Sequence, residues 1–183
     1  LYMMDTINNT IRLRDAVEAD IPQIREIYCH YVRTSVATFE EDEPSCEEMK
    51  RRWSDITREK MPYFVAEELT EATNTYTIVG YSYATLYRTR SAYRYTLEDS
   101  IYLHPAHCGK GLGTVLLDHL IKESTRLGFR QMIAVIGGSD NHGSIKLHEK
   151  MGFGAKHILD CVGLKFGRWV DVVTLQLALG DGS

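Results

Sequence analysis

The stretch from Glu98 to Gly113 begins as an apolar strand, breaks at Pro105 and becomes a glycine-rich turn that opens into a helix. Glycines occupy alternate positions of this turn: Gly109, Gly111 and Gly113. Because glycine has no Cβ, the backbone N–H groups of such a turn can converge on an anion. The positive end of the helix dipole, predicted over Thr114 to Arg126, points to the same place. The stretch therefore predicts a phosphate cradle between a strand and a helix.

Spacing excludes two common phosphate-binding loops. The nucleoside-triphosphate loop, Gly-x-x-x-x-Gly-Lys-Ser/Thr, needs a glycine where His104 stands. The dinucleotide fingerprint, Gly-x-Gly-x-x-Gly, would end on Thr114 or Leu116. What remains is the pattern x-x-Gly-x-Gly directly after a strand, and an ordinary glycine-rich turn stays open as the alternative.

The rest of the chain alternates between strand and helix patterns. Helices are predicted after Asp20, after Ser45, over Thr114 to Arg126 and over Ser144 to Met151. Strands are predicted at 11–14, 63–66, 78–87, 98–103, 132–136, 153–161 and 170–179. This order indicates an α/β fold with one mixed, mostly antiparallel sheet flanked by helices.

The turn resembles the acetyl-coenzyme A loop of the GNAT N-acetyltransferases, written Gln/Arg-x-x-Gly-x-Gly/Ala. A cysteine stands where that family has glutamine or arginine. The resemblance implies the GNAT fold and acetyl-CoA as cosubstrate, bound largely through main-chain N–H groups. The implied cofactor-binding residues here are Ile101, Tyr102, Leu103, Cys108, Gly109, Lys110, Gly111, Leu112, Gly113 and Thr114.

A second segment, Asn141 to Phe153, resembles the family's Asn-x-x-x-…-Tyr-x-x-x-Gly-Phe. There the asparagine holds the pantetheine arm, which assigns Asn141 and Ser144 to the cofactor. The family's aromatic residue, which protonates the departing thiolate, is replaced by His148. Histidine suits this task because its pKa, ~6.5, lies below that of a thiol, ~8.5. The alternative is a helix-face histidine bonded to a neighbour.

The resemblance becomes closer to the phosphinothricin N-acetyltransferase group and extends from Ile11 to Leu179. Related enzymes of that group take methionine sulfoximine and methionine sulfone. The matching positions are His30, Tyr31, Thr34, Ser35 and Phe39; Arg94, Thr96 and Glu98; Ile101 to Leu103, Pro105 and His107; Gly111 to Gly113; Ala134 to Ile136; Leu147 to Glu149; and Lys165, Phe166, Gly167, Trp169 and Asp171.

This group implies direct acetyl transfer to the amino group of a small amino-acid-like substrate in a ternary complex. Glu98 is the expected general base, acting through water, and His148 the expected acid. A main-chain N–H between Ile101 and Leu103 is expected to donate to the thioester oxygen. No acyl-enzyme is needed, so Cys108 is not expected to be a nucleophile. The alternative for Glu98 is a solvent-facing carboxylate at the end of a strand.

The basic, aromatic loop from Arg88 to Tyr95 is expected on the substrate side, because guanidinium groups suit phosphinate, sulfone and carboxylate oxygens. A solvated surface run is the alternative reading of these arginines. Metal is not expected, since His104, His107 and Cys108 provide only part of a zinc site. The implied substrate-binding residues are Tyr31, Thr34, Arg90, Ser91, Ala92, Tyr93 and Arg94.

The chain has 183 residues and a net charge of −4, which argues against nucleic acid or an anionic membrane as a partner. One domain over residues 11–180 is expected after an N-terminal extension, residues 1–10, with the natural start at Met3 or Met4 and the preceding residues left by cloning. No signal peptide or membrane-spanning run is visible, and the four scattered cysteines favour the cytoplasm. By analogy with relatives, a homodimer is expected.

Two alternatives to this function remain at this point. One is a catalytically silent acyl-CoA-binding module on the same fold, since fold does not guarantee activity. The other is an enzyme that acetylates a different small amine or a protein N-terminus. Both Glu98 and His148 are present, which favours an active enzyme, and the arginine-bearing loop favours a small anionic substrate.

Overall fold

The structure, a computed structural model, describes residues 6–7 and 10–182. Within this part of the chain eight strands form one sheet, in the order β1-β2-β3-β4-β5-β6-β8-β7. The strands are β1 (Thr6–Ile7), β2 (Ile11–Asp15), β3 (Tyr63–Thr70), β4 (Thr75–Leu86), β5 (Thr96–Leu103), β6 (Gln131–Gly137), β7 (Gly154–Lys165) and β8 (Arg168–Ala178). Residues 1–5 and 8–9 of the expected N-terminal extension lie outside the described residues.

The sheet contains one parallel pair, β5 with β6, among the described strands, and the other neighbours are antiparallel. The expected mixed, mostly antiparallel sheet is therefore confirmed. The parallel pair is short: it begins with Thr96 opposite Gln131 and ends with Asp99 opposite Ala134. Beyond that point β5 pairs only with β4, and β6 pairs only with β8. We call the point of divergence, after Asp99 and Ala134, the fork.

Two helices cover each face of the sheet. The first face carries α1 (Ile21–Thr34) and α2 (Cys46–Arg58), and the second carries α3 (Leu112–Arg126) and α4 (His142–Lys150). Side chains alternate along β3, so Tyr63 and Val65 pack beneath the first helix pair while Phe64 packs beneath the second. All four predicted helices are present, and α3 begins two residues earlier than its predicted start at Thr114.

The helix starts show why the sequence folds as it does locally. Ser45 caps α2, its Oγ accepting the N–H of Glu48 at 3.1 Å. The start of α3 is different, because Gly111 caps it with a φ of +87°, in the left-handed region that favours glycine. A turn with this backbone leaves its N–H groups free of side-chain caps.

The β7–β8 hairpin is hydrogen-bonded to two loops near the fork, the loop after α1 and the loop after β6. Lys165 is 1% exposed, and its Nζ donates to the carbonyls of Ser35, at 2.8 Å, and Thr38, at 2.7 Å, in the loop after α1. Asp171 Oδ2 accepts the hydroxyl of Ser139 at 2.7 Å in the loop after β6. These long-range bonds fix the walls of the cleft described below.

None of the helices in the described part of the chain is both long and apolar enough to cross a membrane.

Candidate active site

At the fork, β5 presents main-chain groups that have no neighbouring strand to pair with. The N–H of Tyr87 donates to the carbonyl of Thr96, and that of His104 donates to the carbonyl of Val79, so even-numbered groups of β5 point toward β4. Because these directions alternate along a strand, the groups of Ile101 and Leu103 point into the opened edge. The Leu103 carbonyl there accepts the hydroxyl of Tyr31 at 2.7 Å. The main-chain groups of this opened edge can therefore form strand-like hydrogen bonds with a polar, extended ligand.

The turn before α3 carries consecutive main-chain N–H groups, those of residues 109–113, that have no acceptor among the described residues. We call these groups the amide cradle. Cys108 and Thr114 flank it and are not part of it, since their N–H groups donate to Pro105 and Gly111. Both Gly109 and Gly111 have positive φ, +73° and +87°, which turns neighbouring amides toward one side. Together with the first turn of α3, the cradle fits a diphosphate.

A cavity of about 660 Å³ joins the amide cradle to the opened edge of β5. We call it the outer cavity. Predicted cofactor residues that line it are Ile101, Tyr102, Leu103, Cys108, Gly109, Gly111, Gly113, Thr114, Asn141 and Ser144. Further lining comes from Tyr31, Ala37, Gly143, Lys146, Leu147 and Lys150.

Two predicted cofactor residues contribute differently. Leu112 is 3% exposed and points into the core, so that only its main chain faces the cradle. Lys110 is exposed and does not line the outer cavity. On α4, Asn141 is the N-cap, its Oδ1 accepting the N–H of Ser144 at 3.3 Å, and both residues line the walls of the cavity.

Glu98 and Asp99 are the last two residues of β5 before the fork, and they project from opposite faces. Leu97 and Ile101 pack in the cluster beneath α3, whereas Tyr102 packs against α1 and α2. By alternation Glu98 therefore lies on the α1/α2 face and Asp99 on the α3/α4 face. Burial, together with the charge of Asp99, raises the pKa of Glu98 above its ordinary value. A carboxylate with a raised pKa is a better base than an ordinary surface carboxylate.

On the other face, Asp99 meets His148. The Nε2 atom of His148 lies 3.0 Å from Asp99 Oδ2, and Nδ1 lies 2.8 Å from the carbonyl of Ser144. Both side chains are almost fully buried, at 3% and 2% exposure. A second, inner cavity of about 60 Å³ is lined by Asp99, Ser100, Ile101, Ser144 and His148, with β6 on its far side.

Burial lowers the pKa of His148, the hydrogen bond and the charge of Asp99 raise it, and the net result is a raised pKa. The ring of Phe153 also covers the imidazole edge-on, with centroids 5.0 Å apart. His148 is thus a helix-face histidine bonded to its neighbours, which was the alternative interpretation of the sequence. It also lines the inner cavity, where an acid would meet the leaving group.

On the α1 side, Tyr31 and Thr34 occupy different positions. Tyr31 lines the outer cavity, and burial raises the pKa of its phenol. Its hydroxyl also lies 3.7 Å from Cys108 Sγ. Thr34 lies beyond the cavity, its hydroxyl donating to the carbonyl of His30 at 2.7 Å, and it lines a separate pocket of about 290 Å³ with Phe166 and Arg168.

The loop between β4 and β5 forms a short 3-10 helix, Ser91–Tyr93, at the end of β5 that carries Glu98. It lies outside both cavities, and Ser91 and Ala92 are exposed. Its arginines differ. Arg88 lies over the rings of Tyr87 and Tyr93, and Arg94 donates to the carbonyl of Ser91 at 3.0 Å.

The Arg90 guanidinium has no partner among the described residues, which makes it the free cation of this loop.

The histidines near the turn have local partners. His107 Nε2 lies 3.0 Å from Glu68 Oε2, and His104 Nδ1 accepts the N–H of Ala106. Within the described residues no three His, Cys, Asp and Glu side chains are arranged to hold a metal ion.

Sequence reasoning missed two residues of this site, Asp99 and Lys165. Asp99 adjoins Glu98, and alternation alone would have placed it on the face of the α4 histidine. Lys165 appeared only as a matching position, and a lysine in a strand gives no signal that its ammonium will be buried against distant carbonyls.

The site can therefore bind an elongated anionic ligand and offers a carboxylate on each face of β5. One end holds phosphate-binding amides, the middle holds a β ladder, and the far end reaches the inner cavity beside the Asp99–His148 pair. Glu98 lines neither cavity and lies on the opposite face of β5. Such an arrangement suits transfer of a group from an extended carrier to an acceptor that approaches Glu98.

Comparisons with known proteins agree with this chemistry. A sequence profile described as the Acetyltransferase (GNAT) family matches residues 22–153. The phosphinothricin N-acetyltransferase of Alcaligenes faecalis is 45% identical over 163 residues, which are 89% of this chain and 80% of that protein. The L-methionine sulfoximine/L-methionine sulfone acetyltransferase of Salmonella typhimurium is 38% identical over 174 residues, 94% of this chain and 95% of that protein.

A solved structure is also similar. It is a GNAT superfamily phosphinothricin acetyltransferase from Sinorhizobium meliloti in complex with AcCoA, with a TM-score of 0.87 and 47% identity. The match covers 95% of this chain and 91% of that one.

Proposed function

The chain belongs to the GNAT family of acetyltransferases, and on that premise we propose that it transfers acetyl from acetyl-CoA to the amino group of phosphinothricin, methionine sulfoximine or methionine sulfone. One observation carries the proposal: a row of free main-chain amides, residues 109–113, opens through the outer cavity onto the fork. We further propose that residues 11–180 work as one acetyltransferase domain.

Acetyl-CoA supplies an acetyl group activated as a thioester. The amide cradle holds the diphosphate, and the main-chain groups of Ile101 and Leu103 hold the pantetheine. Asn141 and Ser144, at the start of α4, contact the pantetheine arm from the other wall of the outer cavity. One N–H of the opened edge donates to the thioester oxygen and stabilises the charge that develops there.

Each of the two proton transfers takes place on a different face of β5. Glu98 accepts the proton of the attacking amine through water, and its raised pKa suits that task near neutral pH. His148 protonates the departing thiolate from the opposite face. Transfer is direct, so the thiol of Cys108 takes no covalent part.

We propose Arg90 as the arginine that meets the acidic end of the substrate. Arg88 and Arg94 are engaged with tyrosine rings and a carbonyl of their own loop, whereas Arg90 is exposed and free among the described residues. A free guanidinium can form two parallel bonds to a carboxylate or phosphinate. Ser91, Ala92 and Tyr93 form the adjacent wall, and Tyr31 closes the pocket from α1. Thr34 lines a separate pocket and is left out of the proposed substrate site.

A thiol-release assay tests the function. The purified chain is incubated with acetyl-CoA and, separately, phosphinothricin, methionine sulfoximine, methionine sulfone and an alanine-initiated peptide. Turnover of one of the three amino acids well above the peptide is the expected result. Turnover of the peptide alone would assign a protein N-terminus as acceptor. Tight acetyl-CoA binding with no turnover of any amine would assign a silent acyl-CoA-binding module.

We also propose a homodimer formed through β7, the edge strand of the sheet. Its outward side chains and those of the turn to β8 are apolar and about half exposed, and Trp169 on β8 is 64% exposed. Apolar residues concentrated on one exposed edge are typical of an interface. The other residues are Ile158, Leu159, Val162, Leu164 and Phe166. Light scattering should give twice the chain mass, and Trp169→Glu should shift it toward the monomer; a monomeric native chain would contradict the dimer.

A cytoplasmic location is proposed as well, because the four cysteines form no disulfide and free thiols persist in reducing compartments. A cell that expresses the chain should then tolerate phosphinothricin as a herbicide. Growth in the presence of phosphinothricin, compared with that of a cell that expresses Glu98→Gln, measures this tolerance.

A further inference from the structure

We propose that Asp99 is a positioning residue that keeps His148 doubly protonated. The buried imidazolium is then available to donate a proton to the departing thiolate. The inference rests on the proposed function for the identity of the leaving group. It rests on geometry alone for the state of the ring.

The two ring nitrogens define the protonation state. A main-chain carbonyl cannot donate, so the Nδ1 atom of His148, 2.8 Å from the Ser144 carbonyl, carries a hydrogen. The Ser144 hydroxyl is the longer contact of Nδ1, at 3.4 Å, and can accept the same hydrogen. The Nε2 atom faces Asp99 Oδ2 at 3.0 Å, and a carboxylate also accepts only. Two acceptors therefore surround the ring, and both nitrogens carry a hydrogen when Asp99 is ionised.

Few charged groups face this ring. Among the described residues, Asp99 on β5 is the charged side chain bonded to it, while α4 contributes the Ser144 carbonyl and the ring of Phe153 packs edge-on. Glu98 projects from the opposite face of β5, and the lysines of α4 lie at the outer cavity. The raised pKa of His148, which results despite burial, agrees with a ring that stays charged above its ordinary range.

The second oxygen of Asp99 points to a ligand. Asp99 Oδ1 is fully buried and has no hydrogen-bond partner among the described residues, and Asp99 lines the inner cavity at the fork. Buried carboxylate oxygens are seldom left unpaired, because the lost hydration costs ~1–3 kcal/mol or more. The inner cavity lies where the strands diverge, at the end of the opened edge that would hold the pantetheine.

The proton transfer balances with these groups alone. The Nε2 hydrogen of His148 leaves its hydrogen bond to Asp99 Oδ2 and moves to the sulfur of the departing thiolate: the N–H bond breaks, and the sulfur electron pair forms the S–H bond. The ring is left as the neutral Nδ1–H tautomer, still bonded to Ser144, and Asp99 remains a carboxylate. Glu98 gains one proton from the amine in the same cycle, and solvent restores both groups.

Nitrogen-15 NMR of the histidine rings tests the ring state without turnover. The full chain is labelled on histidine, and His148→Gln identifies the signal among the seven histidines. At pH 7.5 both nitrogens of His148 should show imidazolium shifts in the native chain. In Asp99→Asn, whose amide can donate to Nε2, the ring should be neutral with hydrogen on Nδ1 only. A neutral ring in the native chain, or a ring unchanged in Asp99→Asn, would overturn the inference.

The pH profile of kcat tests the consequence. Protonated His148 is required, so activity should fall as the pH rises through its raised pKa. Asp99→Asn should move that alkaline limb to lower pH and reduce kcat at pH 8 by ~10- to 100-fold, with an unchanged KM for acetyl-CoA. Asp55→Asn, a half-exposed aspartate on α2 that lines neither cavity, is the matched control and should change neither.

A limb that does not move in Asp99→Asn would contradict the acid role of the pair. If the native chain turned over no amine, the proposed function would fail, while the NMR result would still decide the state of His148.

Discussion

The two halves of the cleft are built in different ways. The half proposed to hold acetyl-CoA, called the cofactor half, comes from one continuous segment, residues 101–114, with α4 beside it, and it offers mainly main-chain groups. The half proposed to hold the amine, called the acceptor half, is assembled from segments far apart in the chain. Lys165 holds the carbonyls of Ser35 and Thr38, which precede it by 130 and 127 residues.

This difference predicts how each half responds to substitution. A half made of main-chain groups should tolerate changes of side chain and respond to changes of backbone conformation. A half made of distant side chains should respond to the loss of a single buried group, even one that never contacts substrate. The residues at the fork belong to both halves and should show the largest effects.

Glu98→Gln should have the largest effect, because it removes the proposed base while keeping the size of the side chain. We expect kcat to fall ~10²- to 10⁴-fold, with acetyl-CoA affinity unchanged. The raised pKa of Glu98 also means that native activity falls as the pH drops through that value, because the carboxylate becomes protonated. The variant has no base to deprotonate the amine, so it depends on amine that is already neutral in solution, and its optimum should lie at higher pH. Weakened acetyl-CoA binding by calorimetry would instead place Glu98 in the cofactor half.

Lys165→Met should disturb the acceptor half more than the cofactor half. It leaves two buried carbonyls without a donor, at a cost of ~1–3 kcal/mol each, and frees the loop after α1. We expect the KM for the amine to rise ~10-fold or more and the free energy of unfolding to fall by ~2–4 kcal/mol. The KM for acetyl-CoA should rise less than that for the amine, because Ala37 of that loop also lines the outer cavity. Lys156→Met, an exposed lysine of the same strand, is the control and should leave all three values as they are.

Gly111→Ala should disturb the cofactor half alone. A Cβ at residue 111 meets no atom within 4 Å, so the cost comes from the φ of +87° and amounts to ~1–2 kcal/mol. If the turn relaxes to avoid that cost, the KM for acetyl-CoA should rise ~5- to 30-fold, with an unchanged KM for the amine. Gly167→Ala, also left-handed and equally open, carries the same strain in the β7–β8 turn. It should lower stability without changing acetyl-CoA binding.

Cys108→Ser should have the smallest effect. The thiol makes only long contacts, 3.7 Å to the Tyr31 hydroxyl and 3.8 Å to the His104 carbonyl, and direct transfer needs no acyl-enzyme. We expect kcat unchanged and the KM for acetyl-CoA within ~5-fold, as for the loss of one weak bond. Loss of turnover with a trapped acetyl group on the native thiol would contradict direct transfer.

The same difference explains how much the sequence predicted. The amide cradle was predictable, because Gly109, Gly111 and the strand before them lie close together in the chain and their spacing defines the turn. The sheet was predictable from alternating strand and helix patterns. Helix α3 begins two residues earlier than predicted, at Leu112, because Gly111 is its N-cap. The family resemblance added His148 and Glu98, which no spacing rule would have joined.

The remainder depends on contacts that no local pattern encodes. Asp99 and His148 are 49 residues apart in the chain, and their hydrogen bond forms only because α4 packs beside β5. The burial of Lys165 likewise follows from the hairpin folding over the loop after α1. The three arginines between 88 and 94 have equivalent sequence signals, and only their neighbours distinguish Arg90.

A crystal structure with acetyl-CoA and methionine sulfone is the most direct measurement of the central claim, which is that the amide cradle fixes the carrier so that its acetyl group reaches the fork. The account predicts diphosphate oxygens within hydrogen-bond distance of the N–H groups of residues 109–113, with the thioester between Glu98 and the Asp99–His148 pair. A diphosphate bound elsewhere, or an acetyl group that does not reach the fork, would contradict it.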